Sequence, residues 1–165
     1  GNVSRYSYDE NGIMNGLTAD KYALETVRDE ENNTISFKDN TGTTVMQTDD
    51  NGNCIKVTYP DGRTVSYTYN SKGLLDSMTD ADGYKTCYIY NADGQLKKVT
   101  DANGKKIAEY SYNKDGSLNK RENGNGTYTT YTYNNGLVEA VTNFDKENNV
   151  VSFFKYELDE SDKKS

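Results

Sequence analysis

From residue 43 to residue 156, short runs of apolar and polar residues are interrupted about every ten positions by an Asn- or Asp-rich tetrapeptide, nearly always ending in glycine. Glycines stand at 42, 52, 62, 73, 83, 94, 104, 116, 126 and 136. Typical breaks are Asp49-Asp50-Asn51-Gly52, Asp80-Ala81-Asp82-Gly83 and Asn113-Lys114-Asp115-Gly116. Asp-Gly and Asn-Gly supply the positive φ that tight hairpin turns require, and the Asx side chain bonds its own backbone there. Gly52, Gly62, Gly73, Gly83, Gly94, Gly104 and Gly116 are therefore expected to be structural turn residues. Turns this close leave room only for strands. The pattern predicts an all-β chain: an antiparallel meander of about ten short strands, forming an open curved single sheet or a partial barrel.

The strands alternate between two kinds, so the repeating unit is about 21 residues. One kind carries Tyr-x-Tyr: Tyr67/Tyr69, Tyr88/Tyr90, Tyr110/Tyr112 and Tyr131/Tyr133, with Phe154/Tyr156 a degenerate copy and Tyr6/Tyr8 a separate one. Residues i and i+2 of a strand share a face, so each pair presents two rings on one side. The other kind reads apolar-x-x-apolar: Cys54/Val57, Leu75/Met78, Leu96/Val99, Leu118/Arg121 and Leu137/Ala140, where Arg121 replaces the second apolar residue. A spacing of three splits the two positions between opposite faces of a regular strand. Either a bulge re-aims one of them or both faces need cover.

Residues 1–42 read as an N-terminal cap or a diverged repeat, since terminal repeats are usually atypical. Leu17 to Leu24 suggests a helical turn and Thr34 to Phe37 a strand. Residues 43–156 form the repeat sheet, and 157–165 a charged, frayed tail.

Composition sharpens the picture. Leu, Ile, Val and Phe together make 27 of 165 residues, a low share, but 15 tyrosines supply much of the missing apolar area. The core is expected to be aromatic. There is no histidine, which removes the commonest general acid/base and the usual zinc nitrogen ligand. A net charge of −7 gives no basic footprint for nucleic acid. No apolar run is long enough to span a bilayer as a helix. Gly1 reads as an expression remnant, which leaves room for a signal segment removed upstream. Cys54 and Cys87 make no disulfide framework. Cys54 takes the position of Leu75 and Leu96 and reads as a small core residue; a Cys54–Cys87 bridge has no support from spacing.

Tyr-x-Tyr-[Asn/Asp]-x-x-Gly-x-Leu-x-x-[Val/Met]-Thr-Asp-x-x-Gly, matched by Tyr67 to Gly83 and Tyr88 to Gly104, resembles the YD repeat, also called the RHS repeat. Tyr110 to Gly126 matches less well, because Arg121 and Asn123 replace consensus residues. The copy from Tyr131 has lost one turn residue. The resemblance covers roughly residues 43–156 and implies sheets that wind into hollow shells when the array is long. A chain of this length would form an open piece with two edges, which suits pairing between copies. The resemblance also implies a secreted, periplasmic or surface-attached bacterial protein, with carbohydrate or surface-protein ligands and no cofactor.

The aromatic ladder admits two readings. The rings are the core, with hydroxyls at the solvent rim, or one end of each pair forms a platform for sugar rings. In the second case Tyr67, Tyr88, Tyr110 and Tyr131 are the ligand-binding candidates. The acidic turns lack the alternation and the terminal Glu of a calcium loop, so no metal is expected. No carboxylate pair sits in an apolar setting, so no catalytic residue is expected. The leading expectation is a non-catalytic interaction scaffold. The alternative is a purely structural fragment of a longer shell or fibre.

Overall fold

The computed structural model describes residues 4–19 and 22–156. Fifteen strands and no helix lie among them. Two compact units divide the chain, residues 1–85 and 86–165. The first holds β1 (Ser4–Tyr8), β2 (Met14–Ala19), β3 (Tyr22–Asp29), β4 (Thr34–Asp39), β5 (Gly42–Thr48), β6 (Cys54–Thr58), β7 (Thr64–Tyr69) and β8 (Leu75–Thr79). The second holds β10 (Leu96–Asp101), β11 (Lys106–Tyr112), β12 (Leu118–Asn123), β13 (Tyr128–Asn134), β14 (Leu137–Phe144) and β15 (Val150–Lys155), together with β9 (Lys85–Tyr90), which begins at the boundary.

Within each unit every strand pairs antiparallel with the next in sequence, giving an open meander. The all-β expectation holds, but about ten strands is an undercount. The extra strands lie in residues 1–42, read as a cap or a diverged repeat, which hold β1 to β4. Asn33 (φ 52°) and Asn148 (φ 69°) supply the positive φ that glycine provides elsewhere, and the Gly12 turn precedes the run of regularly spaced glycines. The helical turn expected over 17–24 is absent: Leu17 and Leu24 face each other as a cross-strand pair of β2 and β3. The expected tail at 157–165 lies outside the described residues.

Most hairpins share one turn. At Asn91-Ala92-Asp93-Gly94-Gln95, the Asn91 N–H donates to the Gln95 carbonyl at 2.9 Å and the Gly94 N–H donates to the Asn91 carbonyl at 3.1 Å. This is a three-residue loop with glycine in the left-handed region, whose bulge suits the twist of the flanking strands. Gly83 has φ 86° and Gly94 φ 82°. The side chain of the first residue closes the turn: Asp49 Oδ1 accepts the N–H groups of Asn51 and Asn53 at 3.0 and 2.8 Å.

The spacing of three in the apolar strands is resolved by bulges. Leu96 pairs with Tyr90 and Val99 with Tyr88, with Lys97 the extra residue, so Leu96 and Val99 share the tyrosine face. Leu75 and Met78 do the same against Tyr69 and Tyr67. Tyr6/Tyr8 with Leu17/Met14 repeats the arrangement in β1 and β2. One expected pair is corrected. Because its turn is a residue shorter, Tyr133 pairs with Val138 and Tyr131 with Val141, not with Leu137 and Ala140. Leu137 is 48% exposed.

The core is thin. Among the described residues the buried ones are Val99, Ala108, Ala140, Ser77 and Thr100, and no large side chain is fully buried. The tyrosines of the repeat are half-buried, and Tyr69, Tyr90, Tyr112 and Tyr133 pair across strands with Leu75, Leu96, Leu118 and Val138.

Candidate functional site

The tyrosine face of the second unit is built strand by strand. Val99 pairs with Tyr88 on one side and Ala108 on the other. Tyr110 lies two residues beyond Ala108 and pairs with Arg121, which pairs in turn with Thr129. Tyr131, two residues along, pairs with Val141, which pairs with Phe154. Cross-strand partners share a face, so Tyr88, Tyr110 and Tyr131 stand on one side of the sheet. Tyr67 occupies the same position in the first unit, opposite Met78. All four rings are half-buried.

The second tyrosine of each pair has a different environment from the first. The hydroxyls of Tyr69, Tyr112 and Tyr133 donate to the carbonyls of Cys54, Leu96 and Leu118 at 2.8, 2.7 and 2.9 Å. Each acceptor is the first residue of the preceding strand. These hydroxyls therefore do not simply reach the solvent rim: they tie neighbouring hairpins together. Burial pushes the Tyr69 and Tyr112 phenols above their ordinary range. The regular offset from Tyr69 to Cys54 and from Tyr133 to Leu118, fifteen residues in each, was the available sequence signal for this clamp.

The opposite face of the second unit carries a charged cluster. Lys106 and Lys120 both bond Glu122, the latter at 3.0 Å. The Lys120 Nζ also lies 4.0 Å from the Tyr128 ring centre, and Tyr128 stacks on Phe144 at 4.5 Å. The hydrogen bond from Lys106 holds the Glu122 carboxyl below its ordinary range, with Lys120 adding to the effect. Sequence reading missed this cluster, because its residues lie on four strands, β11 to β14.

Among the described residues, the carboxyls that depart from their ordinary value do so downward, caused first by turn hydrogen bonds at Asp49, Asp115 and Asp145. A general acid needs the opposite shift. Among the described residues no group of three Cys, Asp or Glu side chains could hold a metal ion, and no helix is long and apolar enough to cross a membrane. Cys54 and Cys87 are free thiols, each half-buried. A further open concavity lies in the first unit beside Gly16, where the Ser7 hydroxyl occupies the place a Cβ would take.

Residues 49–85 and 90–121 match the family model described as RHS Repeat. The chain carries RHS repeats. No curated protein matches this RHS-repeat chain. Among solved structures it is similar to "Crystal Structure of TcdB2-TccC3-Cdc42", at 16% identity and a TM-score of 0.75, covering 96% of this chain and 10% of that one. It is similar to "Crystal Structure of TcdB2-TccC3" at 16% identity and a TM-score of 0.76, with the same coverage. The RHS-repeat chain thus spans about a tenth of the length of these neighbours. At this identity the likeness shows the fold alone.

Proposed function

We propose that this chain is a non-catalytic RHS-repeat interaction module whose tyrosine face binds carbohydrate, carried at the surface, in the periplasm or in the secreted fraction of a bacterium. The observation that supports it is the row of half-buried Tyr88, Tyr110 and Tyr131 on one face. Aromatic rings with one side open take the apolar face of a sugar ring while neighbouring polar groups meet its hydroxyls. The test is a glycan-array screen of the full chain with calorimetry on any hit. Saturable binding lost in Tyr131→Ala or Tyr67→Ala, with the circular dichroism unchanged, supports the reading. A negative array, or hits indifferent to both substitutions, sinks it.

A second reading is favoured by the coverage of the structural neighbours, which exceed this chain about tenfold in length: the chain serves as a structural segment of a longer RHS array with no ligand site of its own. Edge pairing belongs to that reading. On β15, Val150, Val151, Phe153 and Phe154 are exposed on a strand that pairs only with β14 among the described residues. Sedimentation of the full chain over a concentration series tests it, and a monomer throughout removes edge association. Under the first reading a surface protein is the other ligand class for the same face.

A further inference from the structure

We propose that the polar row Arg121, Thr129, Asn143 and Ser152 on the tyrosine face selects a sugar bearing a carboxylate, with the Arg121 guanidinium as the anion contact. The proposal rests on the carbohydrate reading and narrows it to a ligand class.

The row is continuous. Arg121 pairs with Thr129, Thr129 with Asn143, and Asn143 with Ser152, so one polar residue comes from each of β12, β13, β14 and β15. At about 4.8 Å per strand it runs about 14 Å, the length of a few sugar units. Tyr110 lies at its Arg121 end, and Tyr131 stands two residues along β13 from Thr129.

Arg121 is the departure that points to a ligand. In the neighbouring copies the position opposite the first tyrosine is Met78, Val99 or Val141, each apolar and packed against its ring. Placing arginine there gives up aliphatic packing. It gains nothing within the protein in return: the Arg121 side chain is exposed and makes no hydrogen bond or ion pair among the described residues. The flanking Lys120 and Glu122, which face the other way, are bonded to each other. A guanidinium carries five donors in a planar fork that matches a carboxylate in a bidentate arrangement.

The rest of the row is arranged for hydroxyls. Thr129 Oγ1 donates to Asn143 Oδ1 at 2.7 Å, and Asn143 Nδ2 donates to Ser152 Oγ at 2.8 Å. That order leaves the Ser152 hydroxyl proton free to donate and the Thr129 oxygen free to accept. Both would meet a sugar hydroxyl. The row contains no acid, so the net charge of −7 acts on an anionic ligand only across solvent, where salt screens it.

The test titrates the full chain by calorimetry at about 0.15 M salt with three probes: a uronic-acid oligosaccharide, its carboxyl-reduced neutral counterpart, and a Glu-rich peptide. The expected result is that the uronate binds about tenfold more tightly than the neutral form, the worth of one charge-assisted contact. Arg121→Val, which restores the apolar residue of the repeat and so folds, removes that preference; Arg121→Lys keeps part of it. Equal affinity for the two sugars, or a preference that survives Arg121→Val, overturns the proposal and leaves the carbohydrate reading standing. Failure of both sugars to bind overturns the acidic-sugar proposal, and the glycan array decides the carbohydrate reading. A peptide that binds as well as the uronate and is lost in Arg121→Val overturns the sugar assignment in favour of an acidic protein segment.

Discussion

The Tyr112 hydroxyl donates to the Leu96 carbonyl at 2.7 Å, joining the end of β11 to the start of β10. The same bond recurs from Tyr69 to Cys54 and from Tyr133 to Leu118, so the second tyrosine of the repeat is a clamp between strands as well as a half-buried ring. Tyr112→Phe keeps the ring and leaves the carbonyl without its partner, an expected loss of about 1 kcal/mol. Tyr110→Phe, whose hydroxyl has no such bond, is expected to be within about 0.5 kcal/mol of wild type. Urea denaturation of the two variants separates the roles, and equal losses would refute the clamp.

Tyr112→Ala removes both ring and bond. A ring that is only half-buried sits at the low end of the large-to-small range, so the expected cost is about 3 kcal/mol. A melting temperature equal to that of wild type would place the ring outside the packing.

Two glycines are needed for different reasons. At Gly83 φ is 86° and a Cβ would meet nothing within 4 Å, so Gly83→Val is costly through backbone strain alone. At Gly124 a Cβ would lie 2.3 Å from the Lys106 carbonyl oxygen, which is backbone and cannot turn aside. Gly124→Ala should therefore cost about 1–3 kcal/mol, the range for overpacking. Gly83→Asn, which tolerates positive φ, should recover most of the loss at that site, whereas no side chain rescues Gly124. Chemical denaturation of the three variants checks this, and a wild-type Gly124→Ala would show that β11 can move away.

Stability should fall on acidification through the turn carboxylates. Hydrogen bonds from Asn53 and from Asn149 hold the Asp49 and Asp145 carboxyls below their ordinary values. A depressed carboxyl contributes stability that is present above its unfolded value and lost as the pH falls through the folded one. Asp49→Asn keeps an acceptor at that position, as Asn70 and Asn91 do in their own turns. Its thermal stability near neutral pH should change little, while the acid-side slope becomes shallower. An unchanged slope would remove Asp49 from the acid response.

The shorter turn at Asn135-Gly136 makes its own prediction. Val138 stands opposite Tyr133, whereas Leu137 is 48% exposed. Val138→Ala should cost about 1 kcal/mol and Leu137→Ala less than about 0.5. The reverse order in a denaturation series would restore the pairing expected from spacing alone.

The repeat was legible because its turns are local. An Asx-rich loop ending in glycine encodes positive φ and its own side-chain bonds, so Gly52 to Gly116 could be placed from composition and spacing, and with them the strands and the tyrosine pairs. In residues 1–42, where that signature is broken, Leu17 to Leu24 suggests a helical turn, and the strands β2 and β3 form instead.

Cross-strand relationships lie beyond a one-dimensional reading. A spacing of three looks split between faces until the extra residue, Lys97 in one copy, is seen to bulge and return Leu96 and Val99 to the tyrosine side. The Tyr112 clamp, the Lys106–Glu122–Lys120 cluster and the row from Arg121 to Ser152 each join residues of different strands. Their faces and partners depend on register. The sequence by itself determined the period, the turn chemistry and the aromatic character of the face, since each is set within a few residues. Tertiary structure alone decided which side chains meet across strands, because pairing and bulges, not spacing, choose the face on which each one stands.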